Sequence, residues 1–252
     1  MKRTYLVLSI ALLFALTWGC SQDSSMPTES SVDLNSQSLQ AHSTSPQSNA
    51  KKMHAVAQYE ITLENLTPAT GAGASQPLSP PVFATHAPSF RLFHLDGYAS
   101  DELRQVAEDA VNDPLVTRLE SSERVFETTT GDAVILPGDM ATYTIDAKIG
   151  FHKLTLVSML VNTNDGFTGV DKLNLPRQGS KTFYLRAFDA GTEENTELES
   201  DIPGPCCGSH GVRVPTHQRI RFHQGILGVG DLDPAVYDWD GPVAKLTVTR
   251  IN

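Results

Sequence analysis

Ala141-Thr142-Tyr143-Thr144-Ile145-Asp146-Ala147-Lys148-Ile149 and, after a gap of four residues, Leu154-Thr155-Leu156-Val157-Ser158-Met159-Leu160-Val161 decide the fold class. In the first stretch every second residue is apolar, so Ala141, Tyr143, Ile145, Ala147 and Ile149 share one face of a strand and the polar residues share the other. That is a half-buried strand. The second stretch is almost continuously apolar over eight residues between polar turns, which suits a strand covered on both faces at the centre of a sandwich. Further strand patterns lie on either side. Tyr59, Ile61 and Leu63 alternate with Gln58, Glu60, Thr62 and Glu64; residues 124–130 precede a Pro137-Gly138 turn; and residues 170–175, 181–188, 219–223 and 243–251 complete the set.

Two segments depart from the strand rhythm. Ser100 is placed to cap a helix with Asp101 and Glu102 in its first turn and Leu103, Val106, Ala107, Ala110 and Val111 on one face. Asp113-Pro114 then starts a shorter helical piece carrying Leu115, Val116 and Leu119. Residues 74–88 contain Pro77, Pro80, Pro81 and Pro88, and the missing backbone donors make this stretch a loop rather than a core strand. Seven or eight short strands without an alternating helix-strand rhythm predict an all-β fold. The architecture expected is an antiparallel β-sandwich with one or two short helices in a connection.

Composition narrows the function. The chain has 252 residues, 40% hydrophobic and 19% charged, with 18 Gly and 15 Pro, which excludes a disordered polyelectrolyte and accommodates many turns. A net charge of −10 has the wrong sign for neutralising phosphates along nucleic acid, so nucleic acid is excluded as a partner. Lys2 and Arg3 precede an uncharged run to Trp18 that is too short to span a bilayer, so residues 1–19 are an export signal. Gly19-Cys20 at the close of that run resembles a bacterial lipobox, with Thr17 and Trp18 where Leu and a small residue are usual. Cys20 then becomes the lipidated first residue of the mature chain. Residues 20–52, rich in Ser and Gln, have too little apolar surface to offset the entropy of ordering and read as a tether. The folded domain is expected over residues 53–252. Ser21 after the acylated Cys favours, in a Gram-negative envelope, the outer membrane.

Catalytic signatures are missing: no G-x-S-x-G, H-E-x-x-H, phosphate-binding or dinucleotide-binding loop occurs, and the eight histidines show no ligand spacing. Cys206 and Cys207 are adjacent, and a vicinal disulfide, two thiols or a soft-metal site with His210 are all open. Residues 161–171 (Val-Asn-Thr-Asn-Asp-Gly-Phe-Thr-Gly-Val-Asp) and 188–194 (Phe-Asp-Ala-Gly-Thr-Glu-Glu) concentrate hard oxygen ligands of the kind calcium takes. The first cannot be an EF-hand, because Leu173 stands where the closing Glu belongs. The same Asp, Asn and Gly residues also make ordinary turns.

Residues 158–171, the Asp189-Ala190-Gly191-Thr192-Glu193 motif and the closing run from Pro242 to Ile251 resemble the spondin N-terminal domain, found in F-spondin and mindin. The strand beginning near Tyr59, the proline-rich loop to His86 and the helix after Ala99 follow in matching order. The resemblance implies a sandwich related to calcium-dependent phospholipid-binding modules, with calcium held between loops by Asp165, Asp189 and Glu193. Glu193 stands where the family usually has Asp and is the least secure of the three. Asp171 lies in the motif as well and is read as a turn or supporting group.

The expected protein is therefore a lipid-anchored, extracytoplasmic recognition or adhesion module rather than an enzyme. Its ligand would be a glycan, a matrix component or a surface protein, and its contact with the membrane would be through the lipid alone. The alternatives are a metal-assisted hydrolase working from the acidic loops and a structural envelope lipoprotein. Expressed with its leader, the protein should incorporate labelled palmitate and partition into detergent, and Cys20→Ser should abolish both. Undiminished labelling of that variant would refute the anchor.

Overall fold

The computed structural model describes residues 56–69, 75–209 and 212–252. The leader, Cys20, the tether and His210 lie outside the described residues. Among the described residues ten strands are formed: β1 (Val56–Asn65), β2 (Val82–His86), β3 (Val125–Thr130), β4 (Met140–Lys148), β5 (Lys153–Met159), β6 (Gly166–Asn174), β7 (Ser180–Leu185), β8 (Ala187–Asp189), β9 (Arg221–Phe222) and β10 (Ala244–Arg250). Three short helices accompany them, α1 (Asp101–Asp109), α2 (Asp113–Glu120) and α3 (Pro234–Tyr237). The strands make two antiparallel sheets, one in the order β4-β1-β10-β7 and the other β3-β2-β5-β6-β8-β9. This is the expected all-β sandwich.

The alternation read from the sequence becomes the sandwich core. Tyr59, Ile61 and Leu63 of β1, Ile145 and Ala147 of β4, and Leu246 and Val248 of β10 pack against Phe83, Leu154 and Leu156 from the larger sheet. The larger sheet is also covered on its outer face. Val82, Ala84, Val157 and Phe167 meet Leu103, Val106 and Ala107 of α1, Leu115 and Leu119 of α2, and the loop side chains Phe90 and Phe93. Being sealed on both sides explains the unbroken apolar run of β5, which lies between β2 and β6.

Four expectations need correction. The proline-rich stretch does contain a core strand: β2 is fully buried and pairs with both β3 and β5. Pro80, Pro81 and Pro88 flank it without entering, so residues 82–86 keep every backbone donor that the ladders require. Ile149 ends the alternating pattern beyond β4 and is 73% exposed. Residues 181–188 are not one strand, because the chain leaves the smaller sheet after Leu185 and enters the larger one at Ala187. Sandwich corners are commonly made by strands that switch sheets in this way. In the helical excursion Ser100 accepts a hydrogen bond from the Leu103 amide as expected, but α1 stops at Asp109, since Ala110 has φ +56° and turns the chain.

Gly169 pairs with Val157 of β5, just before the bulge that β6 makes at residues 171–172, and backbone there lies against backbone. A Cβ added there would lie 2.1 Å from the Leu156 carbonyl oxygen. Gly169→Ala should therefore cost about 2 kcal/mol or more and lower Tm by at least roughly 4 °C, checked by thermal unfolding.

Candidate functional site

The loop read as running from 161 to 171 is shorter than expected, because β6 already begins at Gly166. What remains is a tight turn, and its polar side chains are sealed: Asn162, Thr163, Asn164 and Asp165 are all at most 2% exposed. Each finds a partner. Asn162 Nδ2 donates to the Ser75 carbonyl while its Oδ1 accepts from the Cys206 amide. Thr163 Oγ1 donates to the Leu160 carbonyl and accepts from the Gly166 amide. Asn164 accepts from the Glu197 amide and donates to Thr196 Oγ1. Asp165 Oδ2 accepts from the amides of Thr192 at 2.8 Å and Glu193 at 3.1 Å.

Pairing of Gly166 with Asp189 across β6 and β8 brings the second acidic segment alongside. Asp189, Asp165 and Glu193 are thus gathered at one end of the larger sheet, all nearly sealed from water. Their oxygens differ in what they meet. Asp189 Oδ1 takes the Gly191 amide, and Oδ2 takes Asn195 Nδ2 together with Nε and Nη2 of Arg221. Both of its oxygens are therefore occupied. Asp165 Oδ1 and Glu193 Oε1, by contrast, are buried without any hydrogen-bond partner.

Charge sharpens the contrast. Glu108, projecting from α1 and also buried, is held by Arg104 at 2.8 Å and Arg213 at 2.7 Å. Four buried carboxylates are thus set against the three guanidinium groups of Arg104, Arg213 and Arg221. Burial, reinforced by neighbouring Asp189, pushes the Asp165 carboxyl up to about 7. Burial, then Glu108 and Asp165, push Glu193 up to about 8. A buried carboxylate oxygen without a donor is costly, so these two atoms call for a proton or a cation.

Calcium takes six to eight oxygens, and two open carboxylate oxygens on adjoining loops fit the start of such a set. Asp165 and Glu193 would hold it. Asp189 fits as the group that fixes Arg221 and the turn at Gly191. Among the described residues no group of three or more His, Cys, Asp or Glu side chains is arranged to hold a metal, so further ligands would be backbone carbonyls and water. Asp171 is not part of this cluster. It accepts from the Leu92 amide and Thr155 Oγ1 and faces Arg91 at 3.7 Å.

Cys206 and Cys207 form a disulfide, which removes the two-thiol and soft-metal alternatives. The pair packs, half-buried, on Ile202, Ile226 and Leu232. Glu108, Arg213, Arg221 and Glu197 were not singled out in the sequence. Arg104 and Glu108 stand four residues apart on a helix, a spacing that ordinarily marks a solvent-exposed pair. Glu197 gave no such sign, and its two oxygens accept from the amides of Leu227 and Val229.

A family model described as Spondin_N matches residues 57–219, well over half of the chain and spanning every acidic group of this cluster. No curated protein matches it.

Because Asp165 and Glu193 keep their protons in the folded state to about 7 and 8, whereas unfolded carboxyls release theirs near 4, the fold binds more protons than the unfolded chain across that window. With a chelator present, stability should therefore fall as pH rises from 4 towards 8, by several °C in Tm. Asp165→Asn, which cannot ionise, should flatten the fall. A Tm independent of pH in the wild type would contradict the buried, donor-free placement of these groups.

Proposed function

The chain belongs to the spondin N-terminal domain family, a family of extracellular recognition and adhesion modules, and on that premise we propose a calcium-dependent recognition module held at the cell envelope by a lipid on Cys20. It acts by binding rather than by catalysis, and its ligand is a glycan, matrix component or surface protein. The observation that carries the calcium reading is the pair of buried, donor-free oxygens on Asp165 and Glu193. These two residues stand on the two loops whose motifs bear the family resemblance.

A divalent cation here would supply the positive charge that three arginines do not fully provide, and would keep both carboxyls ionised. Its effect on the fold follows from what the two loops hold. Asp165 and Glu193 are already joined through the Glu193 amide, and the segment continuing from Glu193 runs antiparallel to residues 214–216 through the Glu194 and Thr216 amides. Neutralising the cluster would therefore stiffen three connections at one edge and fix the surface they present. Among the described residues no helix is long and apolar enough to cross a membrane, and attachment through a lipid is consistent with that.

Calorimetric titration should show calcium binding in the micromolar to millimolar range, and saturating calcium should raise Tm through preferential binding to the folded state. Asp165→Asn and Glu193→Gln should each remove most of the increment. Asp189→Asn should instead lower stability with and without calcium, because it weakens the Arg221 contact. Absence of heat at millimolar calcium, with Tm unmoved by chelator, would eliminate the ion. Retention on a glycan or matrix array that calcium does not affect would separate recognition from metal binding.

A further inference from the structure

At the opposite end of the sandwich from the acidic cluster, a cleft of about 1050 Å³ opens between the beginning of β1, the end of β4 and the connection from β6 to β7. Four cationic side chains line it: Lys148, Arg177, Lys181 and Arg250. No Asp or Glu lines it. In a chain with 29 carboxylates to 19 Lys and Arg, that arrangement runs against the average composition of its surface. Seven ion pairs occur among the described residues, and none of these four cations belongs to one.

The cations are also placed rather than scattered. Lys148 Nζ sits over the rings of Phe126 and Phe151, 4.2 and 4.8 Å from their centroids, which holds the ammonium without neutralising it. Arg250 spends Nε on the Asn252 carbonyl and Nη1 on the Arg177 carbonyl, so its fork is braced with Nη2 left over. Beneath them the floor is apolar. Tyr59 is buried there with its hydroxyl donating to the Pro176 carbonyl, and Leu175 lies beside it.

We propose that this cleft binds a phosphate ester, the chemistry of a phospholipid or glycolipid headgroup. Lys and Arg side chains that line one cleft without pairing to an Asp or Glu side chain are the usual recognition set for such a group. Size argues for an ester rather than a bare ion, because the cleft is in the range of pockets that enclose whole organic ligands. The ring of Tyr59 and the side chain of Leu175 meet the apolar face of a sugar or glycerol, and Ile149, 73% exposed on the rim, extends that apolar surface outward. The nine residues of β6 separate this end from Asp165 by roughly 30 Å, several Debye lengths at physiological salt, so the two sites act independently.

The test is calorimetric titration of the full-length protein in neutral detergent, without added calcium, using three probes: inorganic phosphate, glycerol 3-phosphate and short-chain dihexanoyl phosphatidylglycerol. Both esters should bind, more weakly as salt is raised. Arg177→Glu with Lys181→Glu should weaken them by about ten-fold or more. Both residues are exposed, so Tm should not change; Lys181→Gln alone gives a milder second variant with a smaller loss. Tighter binding of the lipid than of glycerol 3-phosphate identifies a headgroup as the source, and equal binding of the two esters identifies a soluble phosphate ester, either of which upholds the site, whereas inorganic phosphate binding as tightly as the esters overturns it. Absence of binding at millimolar ester, affinity unchanged by the double reversal, or equally tight binding of uncharged glycerol overturns it.

Discussion

Four polar side chains sealed from water in one turn govern this fold. Asn162, Thr163, Asn164 and Asp165 sit where β5 gives way to β6, and a buried polar group left unpaired costs about 1–3 kcal/mol. The turn is tolerable only if other segments come to it. They do so from different parts of the chain: residues near 75 and 206 to Asn162, 196 and 197 to Asn164, and 192 and 193 to Asp165. Gly204 approaches so closely that a Cβ there would lie 2.0 Å from the Val161 carbonyl oxygen. Long irregular connections are thereby given one geometry each, although they have few backbone ladders of their own.

The same constraint accounts for the chemistry. A turn that gathers loops by hydrogen bonds must present acceptors to their amides, and Asp165 meets two amides with one oxygen. Its second oxygen is left buried without a donor, and that burial, with Asp189 and then Glu108 nearby, raises its proton affinity. The three arginines around the cluster come from α1 and from residues 213 and 221, so its neutralisation depends on elements distant in sequence.

Strands with one wet face were legible, because alternation in residues 58–64 and 141–147 follows directly from a half-buried surface. The central β5 was legible for the opposite reason, being apolar throughout. β2 was not, since prolines at 80, 81 and 88 dominated its neighbourhood and the strand itself is only five residues long. The sheet switch at Arg186 left no mark either, because a strand that changes partners keeps its own extended pattern. Within the cluster, Asp165, Asp189 and Glu193 could be picked out from their motifs. Which of their oxygens are already occupied depends on Arg221 and Asn195, and pairing across such distances has no periodicity to read.

At one end of β6 the domain carries a cleft lined by cations, whereas the chain as a whole has a net charge of −10, and this has a mechanical meaning. Charge distributed so unevenly gives the domain an electric dipole moment, so an external field exerts a torque on it before any contact forms. Near an anionic surface, the end where β1 begins would turn inward and the Asp165 edge would point away. Orientation of the module would then be set by its own charge distribution, leaving the loop edge facing outward for encounters with whatever lies beyond.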